Sequence, residues 1–180
     1  MPETPLPAYV DARKAFSQNA SVSGFLELKK LERTAACLAD DSGRLQAELH
    51  FSTDSGGRRR IGGHLSAVVQ LTCQRCLEPV AVDLDEDFDL LLVPDETAAG
   101  NLDKEYDPWI CADHRIVLAE LLDEQILLGM PIVSYHRQGP CAEAERLESG
   151  SDEAQESDVE KRANSPFAVL AELQKTDLKE

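Results

Sequence analysis

The chain has 180 residues, is 42% hydrophobic and 29% charged, and carries five cysteines and a formal net charge of −16. That length fits one domain with appendages, and no apolar run approaches the roughly 20 residues of a membrane helix. Met-Pro-Glu-Thr-Pro at the start has no basic stretch followed by an apolar core, so no secretory signal is expected, and an odd cysteine count points to reduced thiols or metal ligands in a reducing cytoplasm.

The charge is uneven. Residues 1–70 hold nine Lys/Arg and eight Asp/Glu, whereas residues 71–180 hold nine and twenty-six. Such a chain pays long-range repulsion on approaching nucleic acid unless its basic groups are gathered in one patch, while basic partners or metal ions are drawn to its C-terminal part.

Three prolines before position 8 predict an extended start, followed by a short helix near 10–17 and a short strand at 25–28. Residues 31–38 fit helix or strand. Leu45, Ala47, Leu49 and Phe51 then alternate with polar residues, as do Leu65, Ala67, Val69, Leu71 and Cys73, and a third run carries Val80, Val82, Leu84, Phe88, Leu90 and Leu92. Period-two runs joined by Asp54-Ser55-Gly56-Gly57 and by Cys73-Gln74-Arg75-Cys76 predict an antiparallel meander with one wet face.

Residues 94–112 read as a long acidic loop. Asp113 is placed to cap a helix over 115–128, whose broad apolar surface should lie flat on the sheet; Gly129 and Pro131 end it. The expected fold is therefore α+β: an antiparallel sheet, meander or partly open barrel, covered by one long helix. Residues 1–141 form that domain, 142–163 an acidic flexible linker, and 164–180 a short amphipathic C-terminal helix opened by Ser165-Pro166. Phe167, Leu170 and Leu173 share a face of this helix, which must dock on the parent sheet or in a partner's groove.

Cys73-x-x-Cys76 on a tight hairpin bend can chelate one zinc ion. A redox pair of the same spelling needs a helix after the first cysteine, and here Pro79 and a strand pattern follow. Zinc needs four ligands, and two completions fit: Cys111 with His114, or His136 with Cys141. Without metal, the same cysteines read as small buried residues.

Two charged features stand out. Arg58, Arg59 and Arg60, with Arg75 as a neighbour, could grip RNA phosphates, although no aromatic residue interleaves with them for base stacking. Asp83, Asp85, Asp87 and Asp89 share the outer face of the third strand, either as a solvated face or as a stripe for a basic partner. Their spelling is not a calcium loop, since Phe88 and Pro94 occupy the positions that need glycine and glutamate. Nucleophile elbow, phosphate loop, dinucleotide fingerprint and zinc-protease motif are all missing, so no catalytic residue, small-molecule substrate or enzyme activity is expected.

Leu71-Thr72-Cys73-Gln74-Arg75-Cys76-Leu77-Glu78-Pro79, the LLDEQILLGMP segment at 121–131, His136 with Cys141, and Ser165-Pro166-Phe167-Ala168-Val169-Leu170 together resemble the YceD family of bacterial large ribosomal RNA subunit accumulation proteins. The resemblance implies a cytoplasmic, non-catalytic role in accumulation of 23S ribosomal RNA and biogenesis of the large ribosomal subunit. It also implies Cys73, Cys76, His136 and Cys141 as the matching Cys/His set, with zinc as the cofactor they would take. The partner is then the precursor of the large subunit, met either as 23S rRNA through the arginines or as a basic ribosomal protein through the aspartates, in a chaperone-like use of charge without RNA contact.

Overall fold

The structure is a computed structural model that describes residues 4–136 and 141. The chain divides into the units Met1–Tyr135 and His136–Glu180; the fold below is that of the first, and in the second only His136 and Cys141 are described. The linker expected at 142–163 and the helix expected at 164–180 lie outside the described residues.

Strand β1 (Tyr9–Asp11) leads into helix α1 (Ala12–Ser17), capped by the Asp11 carboxylate, which accepts the Lys14 N–H at 3.1 Å. Strand β2 (Ser21–Glu27), a single turn at Leu28–Lys30 and the four-residue helix α2 (Glu32–Ala35) follow. The three alternating runs form strands β3 (Arg44–Thr53), β4 (Arg59–Thr72) and β5 (Pro79–Val93). After them come α3 (Glu96–Gly100), β6 (Asp107–Ile110), β7 (Arg115–Val117) and α4 (Leu118–Gly129).

The main sheet has the order β2-β3-β4-β5-β6, while β1 and β7 pair in a separate two-stranded ribbon. β2 to β5 are antiparallel, but β6 joins β5 in parallel, so the sheet is mixed. This overturns the expected fold class of an antiparallel sheet under one long helix: the molecule is mostly strand, with four short helices among the described residues. Two local causes account for the difference. His114 adopts a positive φ of 59°, and the β-branched pair Ile116-Val117 then favours extended backbone, so residues 115–117 pair with β1 and the helix is only twelve residues long. Asp113 does accept the Arg115 N–H at 3.1 Å, but at the start of a strand. The loop expected at 94–112 contains α3 and β6, the latter too short for a period to register and carrying Pro108, which is tolerated at a sheet edge.

One sheet face carries the core. Leu45, Leu49, Phe51, Ile61 and Leu65 are fully buried there, as are Leu118, Leu121, Leu122 and Ile126 of α4. At about 1.5–3 kcal/mol per buried side chain, the four from α4 supply a gross stabilisation of about 6–12 kcal/mol, which a twelve-residue helix needs because alone it is marginal in water. Gly63 is required on this face: the Phe88 ring of the neighbouring strand lies over it, and a Cβ would stand 2.2 Å from the ring.

Helix α2 has no side-chain cap of its own. Its N-terminal donors are met instead by Asp123 of α4, which accepts the Arg33 N–H at 3.0 Å, the Thr34 N–H at 2.9 Å and the Thr34 hydroxyl at 2.6 Å. Both Thr34 and Asp123 are buried. Removing the carboxylate orphans three donors, and we expect Asp123→Ala to cost about 3 kcal/mol, read as a lowered urea midpoint by Trp109 fluorescence; an unchanged midpoint would contradict this role.

Candidate metal centre and charged face

The turn between β4 and β5 is built for a close approach of side chains. Cys73 continues the core-facing alternation of β4 and is fully buried. Its N–H donates to the Glu78 carbonyl and its carbonyl accepts the Leu77 N–H, both at 2.9 Å, with Leu77 held at φ 64°. That conformation costs a non-glycine residue about 1–2 kcal/mol, and it returns the chain so that Glu78 pairs with Cys73. Residues 132–134 are bound to the same turn: the Gln74 N–H donates to the Ser134 carbonyl at 2.9 Å, the Gln74 side chain to the Ile132 carbonyl at 3.2 Å, and the Ser134 hydroxyl to the Thr72 carbonyl at 2.8 Å.

Cys141 is buried and its Sγ lies 3.5 Å from Nδ1 of His136. Cys73, Cys76, His136 and Cys141 form a group that could hold a metal ion, their four ligand atoms all lying within 4.8 Å of one another. Three thiols and an imidazole are a donor set used by structural zinc sites, in which ligand atoms around the ion stand roughly 3.5–4 Å apart; the residues fit with a small contraction. Cys111 and His114 are not part of the group. Cys111 sits instead beside Asp113, with its thiol pushed up first by burial and then by the carboxylate charge.

The arginines do not form one patch. Arg58 to Arg60 stand where β3 turns into β4, and Arg75 in the turn at the other end of β4, roughly 40 Å away by strand rise. Each is also engaged. Arg58 donates through Nε to Asp54 at 2.7 Å and through Nη1 to the Tyr106 hydroxyl at 2.9 Å; the Arg58 backbone N–H and then its side chain hold the Asp54 carboxyl below its ordinary range. Arg59 lies over the Phe16 ring and Arg75 over Tyr135. Arg60 forms an ion pair with Asp89, which raises the guanidinium further above its ordinary value.

That last contact joins the two charged features. Asp83, Asp85, Asp87 and Asp89 are all exposed on the outer face of β5, opposite Val68, Ser66, His64 and Gly62 of β4. His64 Nδ1 is 2.9 Å from Asp87 and its Nε2 3.8 Å from Asp85. On β3, Glu48 faces His64. The acids thus outnumber the bases on this face, and the one arginine of the triplet that reaches it is neutralised there. Sequence reasoning missed Asp123, whose contacts are some 90 residues away, and the Arg60–Asp89 pair, which only the strand register reveals.

The YceD family, described as "Large ribosomal RNA subunit accumulation protein YceD", matches residues 61–174. The chain belongs to the YceD family. The family match spans β4 from Ile61 onward, the cysteine turn, β5 and α4. The Large ribosomal RNA subunit accumulation protein YceD of Haemophilus influenzae is 28% identical over 174 residues, covering 96% of this chain and 98% of that protein. No solved structure gives a significant match. Among the described residues no helix is long and apolar enough to cross a membrane.

Proposed function

We propose that this chain promotes accumulation of the large-subunit ribosomal RNA as a cytoplasmic binding factor without catalysis, and that what it holds is a basic ribosomal protein of the large-subunit precursor. Family membership supports the ribosomal role. The observation that carries the choice of partner is the pairing of Arg58 with Asp54 and Arg60 with Asp89: phosphates would have to displace carboxylates already in place, next to a face dominated by Asp83, Asp85 and Asp87. A lysine- or arginine-rich protein meets the same face with favourable charge, and electrostatic complementarity of this kind speeds encounter and excludes nucleic acid. In cells lacking the chain, the ratio of 23S to 16S rRNA is expected to fall. A variant with Asp83, Asp85 and Asp87 changed to Asn should fail to restore it, whereas one with Arg58, Arg59 and Arg60 changed to Ser should restore it; the opposite pattern would establish direct RNA contact instead.

Cys73, Cys76, His136 and Cys141 are proposed to hold one structural zinc ion. Its work would be mechanical: it would fix the β4–β5 turn without touching a substrate. Elemental analysis of the purified full chain should give about one zinc per molecule, lost in Cys76→Ser, with a lower unfolding midpoint after chelation. Wild-type protein that takes up no zinc from a micromolar excess would contradict the assignment.

A further inference from the structure

The end of α4 and the segment that leaves it present apolar side chains to solvent. Leu128 is 75% and Ile132 95% exposed, and Val133 and Tyr135 are exposed beside them. Single exposed apolar residues are ordinary, but these follow one another along one short stretch. The backbone there is also fixed, because the carbonyls of Ile132 and Ser134 both accept hydrogen bonds from Gln74. The side chains are therefore held outward by a rigid strap.

The α4 end of this strap is acidic. A cleft of about 130 Å³ is shared by Leu128, Gly129, Glu86 and Asp87, with Phe88 and Leu65 at its base. Glu86 packs so closely on Gly129 that a Cβ there would stand 2.7 Å from its Cγ. Gly129 is the last residue of α4, and the last turn of that helix holds no basic residue. A carboxylate therefore stands at the negative end of a helix dipole, where a cation is favoured and an anion is not. Arg75, the nearby base, lies over the Tyr135 ring.

We infer that Leu128, beside Glu86 and Asp87, forms with Ile132 and Val133 a docking surface for an amphipathic, lysine- or arginine-rich protein segment. This rests on the protein-partner reading above and names the chemistry of the contact. The apolar stripe of such a segment covers Leu128 and Ile132, and its cations approach Glu86 and the C-terminal carbonyls of α4. RNA suits the α4 end of the surface poorly, since its phosphates would meet Glu86 and Asp87 and neither Leu128 nor Ile132 offers a ring for a base to stack on, while the Tyr135 ring already has Arg75 over it.

The test uses the full chain and two peptides of about 18 residues, one of leucine and lysine with its leucines along one helical face, the other its scrambled isomer of equal charge. The amphipathic peptide should bind at least about tenfold tighter than the isomer. Leu128→Ser with Ile132→Ser should remove that advantage, and Glu86→Gln should weaken both peptides; an unchanged urea midpoint certifies that these exposed variants fold. Equal binding of the two isomers, or an advantage that survives the serine variant, would overturn the surface. So would a 23S rRNA transcript that binds wild type and is lost from the same variant. Unchanged 23S levels in cells lacking the chain would overturn the ribosomal role while leaving the peptide result standing.

Discussion

The register of the β4–β5 hairpin governs what the molecule can do. Thirteen consecutive pairs, from Arg60–Leu91 to Thr72–Pro79, run without a bulge. Because side chains alternate strictly, a slip of one residue would bring Asp83 to Asp89 into the core and put Leu84 and Leu90 in water. Desolvating that many carboxylates is prohibitive, so the pattern of residues enforces its own alignment. Everything with chemical potential hangs on this alignment: Cys73 and Cys76 at one end, Arg60 against Asp89 at the other, and His64 between Asp85 and Asp87 in the middle.

Both ends of the hairpin are tied to other parts of the chain. At the cysteine end, Gln74 and Ser134 bind the stretch that follows α4; α4 in turn caps α2 through Asp123. At the arginine end, Leu91 and Val93 are buried even though they share the outer face with the aspartates, and Tyr106 engages Arg58. The outer face is therefore wet and acidic only along the middle of β5. A partner is offered a bounded acidic strip on the outer face, while Glu86, which alternates to the side of Leu84 and Phe88, borders the end of α4.

Much of this was legible in the sequence, and the exceptions have physical reasons. Alternation at 45–51, 65–73 and 80–92 is a direct imprint of half-buried strands, and the C-x-x-C between two such runs had to be a turn. The parallel strand Asp107–Ile110 left no imprint, being four residues long with a proline. The run after Asp113 read as one helix because Ile116 and Val117 suit the apolar face of a helix as well as a strand; the positive φ at His114 decides between them, and no sequence period encodes it. Alternation alone puts Asp83, Asp85, Asp87 and Asp89 on one face, but which arginine meets them depends on the pairing of β4 with β5. Grouping Arg75 with Arg58 to Arg60 treated closeness in composition as closeness in space, when a strand of fourteen residues separates them.

Electrostatics favours the proposed contact of the acidic strip with protein over nucleic acid. Val68 is 54% exposed and faces Asp83 at one end of that strip. A photo-crosslinking amino acid placed at this position in living cells reads the contact directly. The account predicts an adduct with a small basic protein that survives nuclease treatment. An adduct that carries RNA and disappears with nuclease would contradict it.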